Sequence, residues 1–227
     1  MEHTETTSPA GDIDQVMKSQ MERMVPTYDA YMRRVTLGRE HVLRAETTRL
    51  AQITPGSSVL EVGCGTGTLT LAAKRQAGPT GQVFGIDVIP EMLEASRRKA
   101  TLAGEDITFQ VGGIDQIPFF DSQFDVVLCS FMIFHMSEAT RRQGIQEVHR
   151  VLKPGGRWLI LDLALPQQPF QRFVAQRLFG GMLEHELREL LPLMERAPFS
   201  KIEMGSAEFR ILGLSVVGFV RGRAEKA

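Results

Sequence analysis

The chain has 227 residues, of which 43% are hydrophobic and 23% charged, and its 26 basic and 27 acidic residues give a formal net charge of -1. This balance argues against a protein that binds DNA or RNA, which needs a clustered surplus of lysine and arginine. The length favours one α/β domain. The sequence shows no secretory signal and no apolar run of the roughly 18 residues that span a bilayer, which favours a cytoplasmic protein. Two cysteines are too few for a disulfide framework or a metal site.

The N-terminal region is predicted to be a tail followed by helices. Residues 1–17 are polar and show no apolar period, which predicts a mobile tail. Two helical stretches are expected within residues 18–53, the second at about Gly38 to Ile53, because apolar side chains recur there among charged ones. We expect these helices to form an N-terminal cap.

From Ser57 onward, short apolar runs alternate with helix-length polar segments, which is typical of a parallel sheet with crossover helices. The predicted strands are Val59–Val62, Val83–Ile86, Thr108–Val111, Val126–Ser130 and Arg157–Leu163. The predicted helices between them are 68–77, 90–102 and 138–151.

The C-terminal region is predicted to add a second cap segment and two closing strands. Aromatic residues recur near helical spacing in Phe170–Phe179, and a further helix is predicted at about Met182 to Glu195. Extended runs follow near Phe199–Met204 and Phe209–Val220. A single domain is thus expected over residues 18–227, made of the N-terminal cap, a cofactor-binding core at 57–163, a variable cap and helix at 166–195 and closing strands at 199–222.

The strongest motif is a glycine-rich turn between the first predicted strand and the helix after it. Glycines occupy the first, third and fifth positions from Gly63, and without a Cβ they let a ligand lie against the backbone. A dinucleotide-binding fingerprint needs glycine at the sixth position, which here is Thr68. The spacing therefore disfavours a nicotinamide cofactor, and no Walker-type lysine follows to bind ATP or GTP.

Asp87 ends the second predicted strand, beside the glycine turn at the carboxyl edge of the sheet. A carboxylate at this place accepts both hydroxyls of a ribose. The alternative is that Asp87 caps the helix that begins near Pro90. The ribose contact would identify a nucleoside without saying which one.

Four blocks in order, EVGCGTG, GQVFGIDVIPEMLE, FDVVLCSFMIFHM and LKPGGR, resemble the seven-stranded methyltransferases that depend on S-adenosylmethionine (SAM). The resemblance extends over roughly Val25 to Leu163. It implies a Rossmann-like, doubly wound, mainly parallel seven-stranded sheet with helices on both faces. It also implies that SAM gives a methyl group to a small molecule and leaves as S-adenosylhomocysteine (SAH).

The resemblance also implies where SAM is held. The methionine end is expected on the glycine turn, formed by Gly63, Cys64, Gly65 and Gly67, with Glu61 near the ammonium group. Asp87 is expected to bind the ribose, with Val88 and Met92 against the adenine.

One position departs from the family pattern. Gly113 stands where relatives carry an aspartate that accepts the adenine amino group, and Asp115 or a water molecule is expected to replace it. The backbone of Gly113 and Ile114 should still meet the edge of the ring.

The segment after the fourth strand and the lead-in to the domain bear on the acceptor. Ser130 and Phe131 are expected to face the transferring methyl group, and no Asn/Asp-Pro-Pro-aromatic signature for base or amide methylation is present. The lead-in around Tyr28 is similar to that of the ubiquinone and menaquinone C-methyltransferases, where this segment folds over the cofactor. Related lead-ins also occur in bacterial phospholipid N-methyltransferases and in enzymes that tailor natural products, so the lead-in does not choose among these acceptors. Tyr28 is therefore a predicted SAM contact, and the acceptor is predicted to be small, apolar or lipidic.

Methyl transfer needs alignment of the reacting atoms, and a carbon or oxygen acceptor also needs a general base. His135, beyond the fourth strand, is the main candidate, against the alternative that it only begins a helix. Weaker candidates are His185, Tyr31 and His41. Cys64 and Cys129 are expected to be small buried residues and not nucleophiles.

Three interpretations of Phe170–Phe179 stay open. The aromatic side chains could line an apolar acceptor pocket, lie on a membrane surface together with Arg172 and Arg177, or form core. Two other functions also stay open, a SAM-binding regulatory or partner protein without transferase activity and a nicotinamide oxidoreductase. The sequence indicates neither the acceptor atom nor the oligomeric state.

Overall fold

The computed structural model describes residues 9–179 and 187–226. Its strands are β1 (Ser58–Val62), β2 (Gln82–Asp87), β3 (Thr108–Val111), β4 (Phe124–Ser130), β5 (Leu152–Leu163), β6 (Phe199–Ser206) and β7 (Val217–Ala224). The α-helices of the described residues are α1 (Pro9–Met24), α2 (Tyr28–Val35), α3 (Glu40–Leu50), α4 (Thr68–Ala77), α5 (Pro90–Ala103), α6 (Glu138–Val151), α7 (Pro169–Phe179) and α8 (Leu191–Arg196).

The strands form one seven-stranded sheet in the order β3-β2-β1-β4-β5-β7-β6. Strands β1 to β5 pair in parallel, and β7 lies antiparallel between β5 and β6. The mainly parallel, doubly wound α/β fold predicted from the sequence is confirmed. Because β1 lies between β2 and β4, the carboxyl ends of these three strands meet at one edge of the sheet.

Alternate side chains of the central strands enter two cores on opposite faces of the sheet. Val59 of β1 packs in a cluster with residues of α3 and α4, whereas Leu60 packs in a cluster with residues of α6 and α8. All five residues of β1 are buried, as expected of a strand covered by helices on both faces.

Local signals define the helices that follow β2 and β4. Helix α5 begins at Pro90, whose fixed φ suits a first helical position, and ends before Gly104, which has a φ of 65°. Helix α6 is capped by Ser137, whose hydroxyl accepts a hydrogen bond from the Thr140 N–H.

Two sequence predictions need correction. Residues 9–17, predicted to be part of a mobile tail, belong to α1, a mostly polar helix whose few apolar side chains show no clear period in the sequence. The extended run predicted at Phe209–Val220 is a strand only from Val217, where pairing with Leu163 begins. The apolar side chains of Phe209 and Leu214 are buried in the segment that precedes β7.

The helix predicted at Met182 to Glu195 is observed in part. Residues 187–190 form a 3-10 helix and α8 follows, while residues 180–186 lie outside the described residues.

Candidate active site

A cavity of about 360 Å³ opens at the carboxyl edge of β1, β2 and β4. Twelve of the fifteen residues predicted to form the site line it. These are Tyr28, Gly63, Gly65, Asp87, Val88, Met92, Gly113, Ile114, Asp115, Ser130, Phe131 and His135. Glu61, Cys64 and Gly67 are not among the lining residues.

The glycine turn presents bare backbone because side chains would not fit there. Gly63 and Gly67 have φ values of 68° and 77°, which other residues adopt only with strain. A Cβ on Gly63 would lie 3.0 Å from the Met132 side chain, and one on Gly67 would lie 2.9 Å from the Cβ of Ser96. The turn can therefore hold a ligand against its backbone and at the N-terminus of α4.

Asp87 is joined to the glycine turn. Its Oδ2 accepts the N–H of Gly65 at 2.8 Å, and its Oδ1 accepts the N–H of Ile89 at 3.0 Å. Burial raises the pKa of Asp87, and the backbone N–H groups oppose this rise. Ile89 is the N-cap residue of α5, so this second hydrogen bond joins Asp87 to the start of that helix, and the ribose contact and the capping role both stay predictions. Each carboxylate oxygen has a second lone pair for a ligand hydroxyl.

Glu61 lies behind the glycine turn. It is fully buried and accepts a hydrogen bond from the Thr70 hydroxyl of α4. Burial raises the pKa of Glu61 to about 8, against the lowering effects of that hydrogen bond and of the Arg44 charge. The contact of Glu61 with the SAM ammonium group stays a prediction.

The two cysteines are buried, free thiols, as predicted. Burial raises the pKa of the Cys64 thiol well above its ordinary value and that of Cys129 to about 12. Cys129 also accepts a hydrogen bond from the indole N–H of Trp158 at 3.4 Å. Neither thiol is suited to act as a nucleophile, because the reactive thiolate is disfavoured.

The start of α2 covers the glycine turn. The Tyr28 ring would lie 3.7 Å from a Cβ on Gly65, and burial raises the pKa of its hydroxyl to about 12. Asp29 accepts hydrogen bonds from the Thr66 hydroxyl and from the Lys99 ammonium group, both at 2.7 Å. Because its pKa is raised, the Tyr28 hydroxyl stays neutral and can donate a hydrogen bond at the cavity.

Asp115 takes the space beside Gly113. A Cβ built on Gly113 would lie 2.5 Å from Asp115 Oδ1, so the carboxylate stands where a side chain at position 113 would begin. Residues 113–116 form a turn that is closed by an antiparallel bridge between Gly113 and Gln116.

The segment after β4 forms another wall of the cavity. Ser130 accepts a hydrogen bond from the buried Arg44 at 3.2 Å, and Arg44 is paired with Glu40. Phe131 has a φ of 55°, an uncommon conformation for a non-glycine residue that is often found at functional sites. His135 ends a 3-10 helix, Ile133–His135, and is exposed at the cavity.

Helix α1 contributes to the cavity, although none of its residues was predicted to do so. Its cavity-lining residues are Asp14, Gln15, Met17, Lys18 and Met21. Asp14 accepts hydrogen bonds from the Ser137 N–H at 2.8 Å and the Thr140 hydroxyl at 2.6 Å. The spacing of Asp14, Met17 and Met21 matches one helix face, a signal that is weak in a polar segment.

Helix α7 does not line the cavity with any described residue, so the predicted apolar pocket wall at Phe170–Phe179 is wrong. Val174 and Ala175 pack in the core, whereas Phe170 and Phe173 are 78% and 67% exposed. Tyr31 and His41 also lie outside the cavity lining, and His185 lies outside the described residues.

Among the described residues, no helix is both long and apolar enough to cross a bilayer. Within the same part of the chain, no three histidine, cysteine or acidic side chains are grouped as metal ligands.

Comparisons with known proteins agree with this geometry. A family model described as a methyltransferase domain matches residues 59–156. The chain is 32% identical over 163 residues to a demethylmenaquinone methyltransferase of Symbiobacterium thermophilum, an alignment that covers 71% of this chain and 63%, less than two thirds, of that relative. It is 30% identical over 194 residues to a 2-phytyl-1,4-naphthoquinone methyltransferase of a Nostoc species, covering 79% of this chain and 82% of the relative.

A solved structure shows the same fold. An N-methyltransferase from Bradyrhizobium japonicum, in complex with SAH, superposes with a TM-score of 0.68 at 17% identity, covering 92% of this chain and 99% of that one.

Proposed function

Because the chain belongs to the class I SAM-dependent methyltransferases and uses SAM as its methyl donor, we propose that its acceptor is a quinone-type ring carrying an apolar tail, methylated at carbon. The proposal is supported by two relatives, which are named for a menaquinone precursor and a phytyl naphthoquinone. It is also supported by the composition of the cavity.

The residues present fit SAM. The glycine turn leaves backbone where side chains would collide, and the carboxylate of Asp87 lines the cavity beside it. We propose that the turn holds the methionine portion, that Asp87 holds the ribose, and that Asp115 meets the adenine amino group. The sulfonium supplies a methyl group that is already activated for displacement.

The observation that carries the acceptor class is a set of apolar side chains, here called the apolar wall, that line the cavity. Four methionines, Met17 and Met21 of α1 and Met132 and Met136 after β4, line the cavity together with Phe131. Methionine is flexible and polarisable, so such a wall suits a flat ring and an apolar tail.

His135 is the proposed general base. A reduced quinone ring attacks through carbon once its hydroxyl has lost a proton, and the exposed imidazole lies at the same cavity. In this scheme, the hydroxyl proton moves to an imidazole nitrogen of His135. The neighbouring ring carbon would then bond to the methyl carbon as the methyl–sulfur bond breaks and the electron pair stays on the sulfur of SAH. The ring carbon would lose its own proton to water, which restores the aromatic ring, and the protonated His135 would return its proton to the ring oxygen.

The test is an assay of purified protein with SAM and reduced naphthoquinones that carry short prenyl tails, read by SAH release and by mass spectrometry and NMR of the product. A ring bearing one new carbon-bound methyl group is expected. Methylation at oxygen, or turnover of amines but not of quinols, would contradict the proposal. Absence of turnover with every acceptor would support the alternative of a SAM-binding partner protein.

A transient contact with a membrane surface is proposed for α7. Its outward side chains Phe170, Phe173 and Leu178 are exposed, and Arg172 and Arg177 lie between them in the sequence, which suits an anionic lipid surface. Co-sedimentation with vesicles containing phosphatidylglycerol should fall when Phe170 and Phe173 are both replaced by serine. Equal sedimentation of both proteins would exclude the contact.

A further inference from the structure

From residue 14 to residue 24, helix α1 covers the cavity without entering the core of the protein. Five of its residues, spaced along one face between positions 14 and 21, line the cavity. From residue 14 to residue 24, every side chain of α1 is exposed or only partly buried, and none belongs to a core cluster. A helix held in this way depends on few contacts, since most helical stability in proteins comes from packing of an apolar face.

Asp14 supplies polar contacts that join α1 to the start of α6. Its carboxylate accepts hydrogen bonds from the Ser137 N–H at 2.8 Å, the Ser137 hydroxyl at 3.1 Å and the Thr140 hydroxyl at 2.6 Å. Ser137 is buried and is also the N-cap of α6. A negative charge at this end of the helix is favoured by its dipole.

These contacts also fix the position of the two α1 methionines of the apolar wall. Met17 and Met21 follow Asp14 by one and two helical turns on the same face, so fixing Asp14 fixes both side chains at the cavity. Met132 and Met136 also line the cavity and lie just before Ser137 in the sequence. One short stretch of chain therefore carries both the second pair of methionines and the partner of Asp14.

We propose that Asp14 is a positioning residue that holds α1 over the cavity, and that Met17 and Met21 thereby determine which acceptors the enzyme accepts. The part concerning acceptors rests on the proposed function. The part concerning the position of α1 does not.

The position of α1 can be tested by limited trypsin digestion, with and without SAH. Lys18 and Arg23 are exposed cleavage sites in α1. In Asp14→Ala, cleavage at these sites should be about tenfold faster than in the wild type, because hydrogen bonds to a charged group are lost. Thr140→Val, which keeps the Ser137 cap, should give a smaller increase. Glu22→Gln, at an exposed acid of α1 that does not line the cavity, is the matched control and should match the wild type.

The acceptor part is tested by steady-state kinetics with the quinols. Asp14→Ala should raise the acceptor KM about tenfold while the calorimetric Kd for SAH changes much less, and Asp14→Glu should restore part of the loss. The double variant Met17→Ala, Met21→Ala should lower the preference for long over short prenyl tails, with α1 cleaved as slowly as in the wild type.

The outcomes separate the two parts. Equal cleavage rates for Asp14→Ala, Glu22→Gln and the wild type would overturn the role of Asp14, whatever the acceptor. If Asp14→Ala is cleaved faster, as expected, but the methionine variant keeps the wild-type tail preference, the role of Met17 and Met21 is overturned. If no quinol is turned over by the wild type, the proposed function fails, and the digestion result still decides the position of α1.

Discussion

Asp87 Oδ2 accepts the backbone N–H of Gly65 at 2.8 Å, so the acid at the end of β2 is hydrogen-bonded to the turn that follows β1. The same carboxylate lines the cavity. One side chain therefore both orders the glycine turn and faces the place where a ribose is expected.

Replacing Asp87 by asparagine should weaken SAH binding by about 10- to 100-fold, because hydrogen bonds to a charged group are lost and an amide donor now faces the turn. Isothermal titration calorimetry would measure the change. Glu91→Gln, at an exposed acid in the first turn of α5, is the control and should bind SAH normally. An unchanged Kd in Asp87→Asn would remove Asp87 from the proposed site.

Asp115 should select adenine through its carboxylate, which would accept the exocyclic amino group. Asp115→Ala should weaken SAH binding about tenfold and leave binding of the inosine analogue, which has a carbonyl at that position, nearly unchanged. Calorimetry with both ligands measures this selectivity. Asp106→Asn, at an exposed acid before β3, should retain it. Equal selectivity in Asp115→Ala and the wild type would assign adenine recognition to the backbone.

His135→Gln should lower kcat for quinol methylation by about 10² to 10⁴-fold while leaving the SAH Kd within about twofold, since a general base acts on the acceptor and not on SAM. Single-turnover and calorimetric measurements separate the two effects. His149→Gln is the matched control, because His149 contacts the backbone oxygen of Glu225 and not the cavity. A kcat that stays normal in His135→Gln would leave the base unassigned.

Glu61 should make stability depend on pH. Its pKa is raised from an ordinary 4.5 to about 8, so the folded state binds this proton more tightly than the unfolded state. The stabilisation is complete below about pH 4.5 and is lost as pH rises through about 8. Asp162, whose pKa burial raises to about 7, acts in the same direction.

In Glu61→Gln, the free energy of unfolding should therefore change less between about pH 5 and 8 than in the wild type, by an amount on the order of a few kcal/mol. Urea titrations at several pH values would measure it. Glu94→Gln, at an exposed acid of α5, should follow the wild-type curve. Parallel curves for Glu61→Gln and the wild type would contradict the raised pKa.

Much of the fold was predictable because its signals are local. The predicted helices 68–77 and 138–151 match α4 and α6 in full, and the strand Thr108–Val111 matches β3. The residues expected at the cavity were largely those of the loops that follow parallel strands, and such loops meet at one edge whenever the strand order is right.

The class of fold, the glycine turn and the acid after β2 could be read from the amino-acid sequence, since backbone conformation and burial restrict these positions to few residue types. The other features of the site arise from tertiary contacts. These contacts place the polar helix α1 over the cavity, turn the aromatic side of α7 away from it, and bury Glu61 behind the turn. These features depend on contacts between segments far apart in the chain, such as that of Asp14 with Ser137, and no local pattern encodes such a contact.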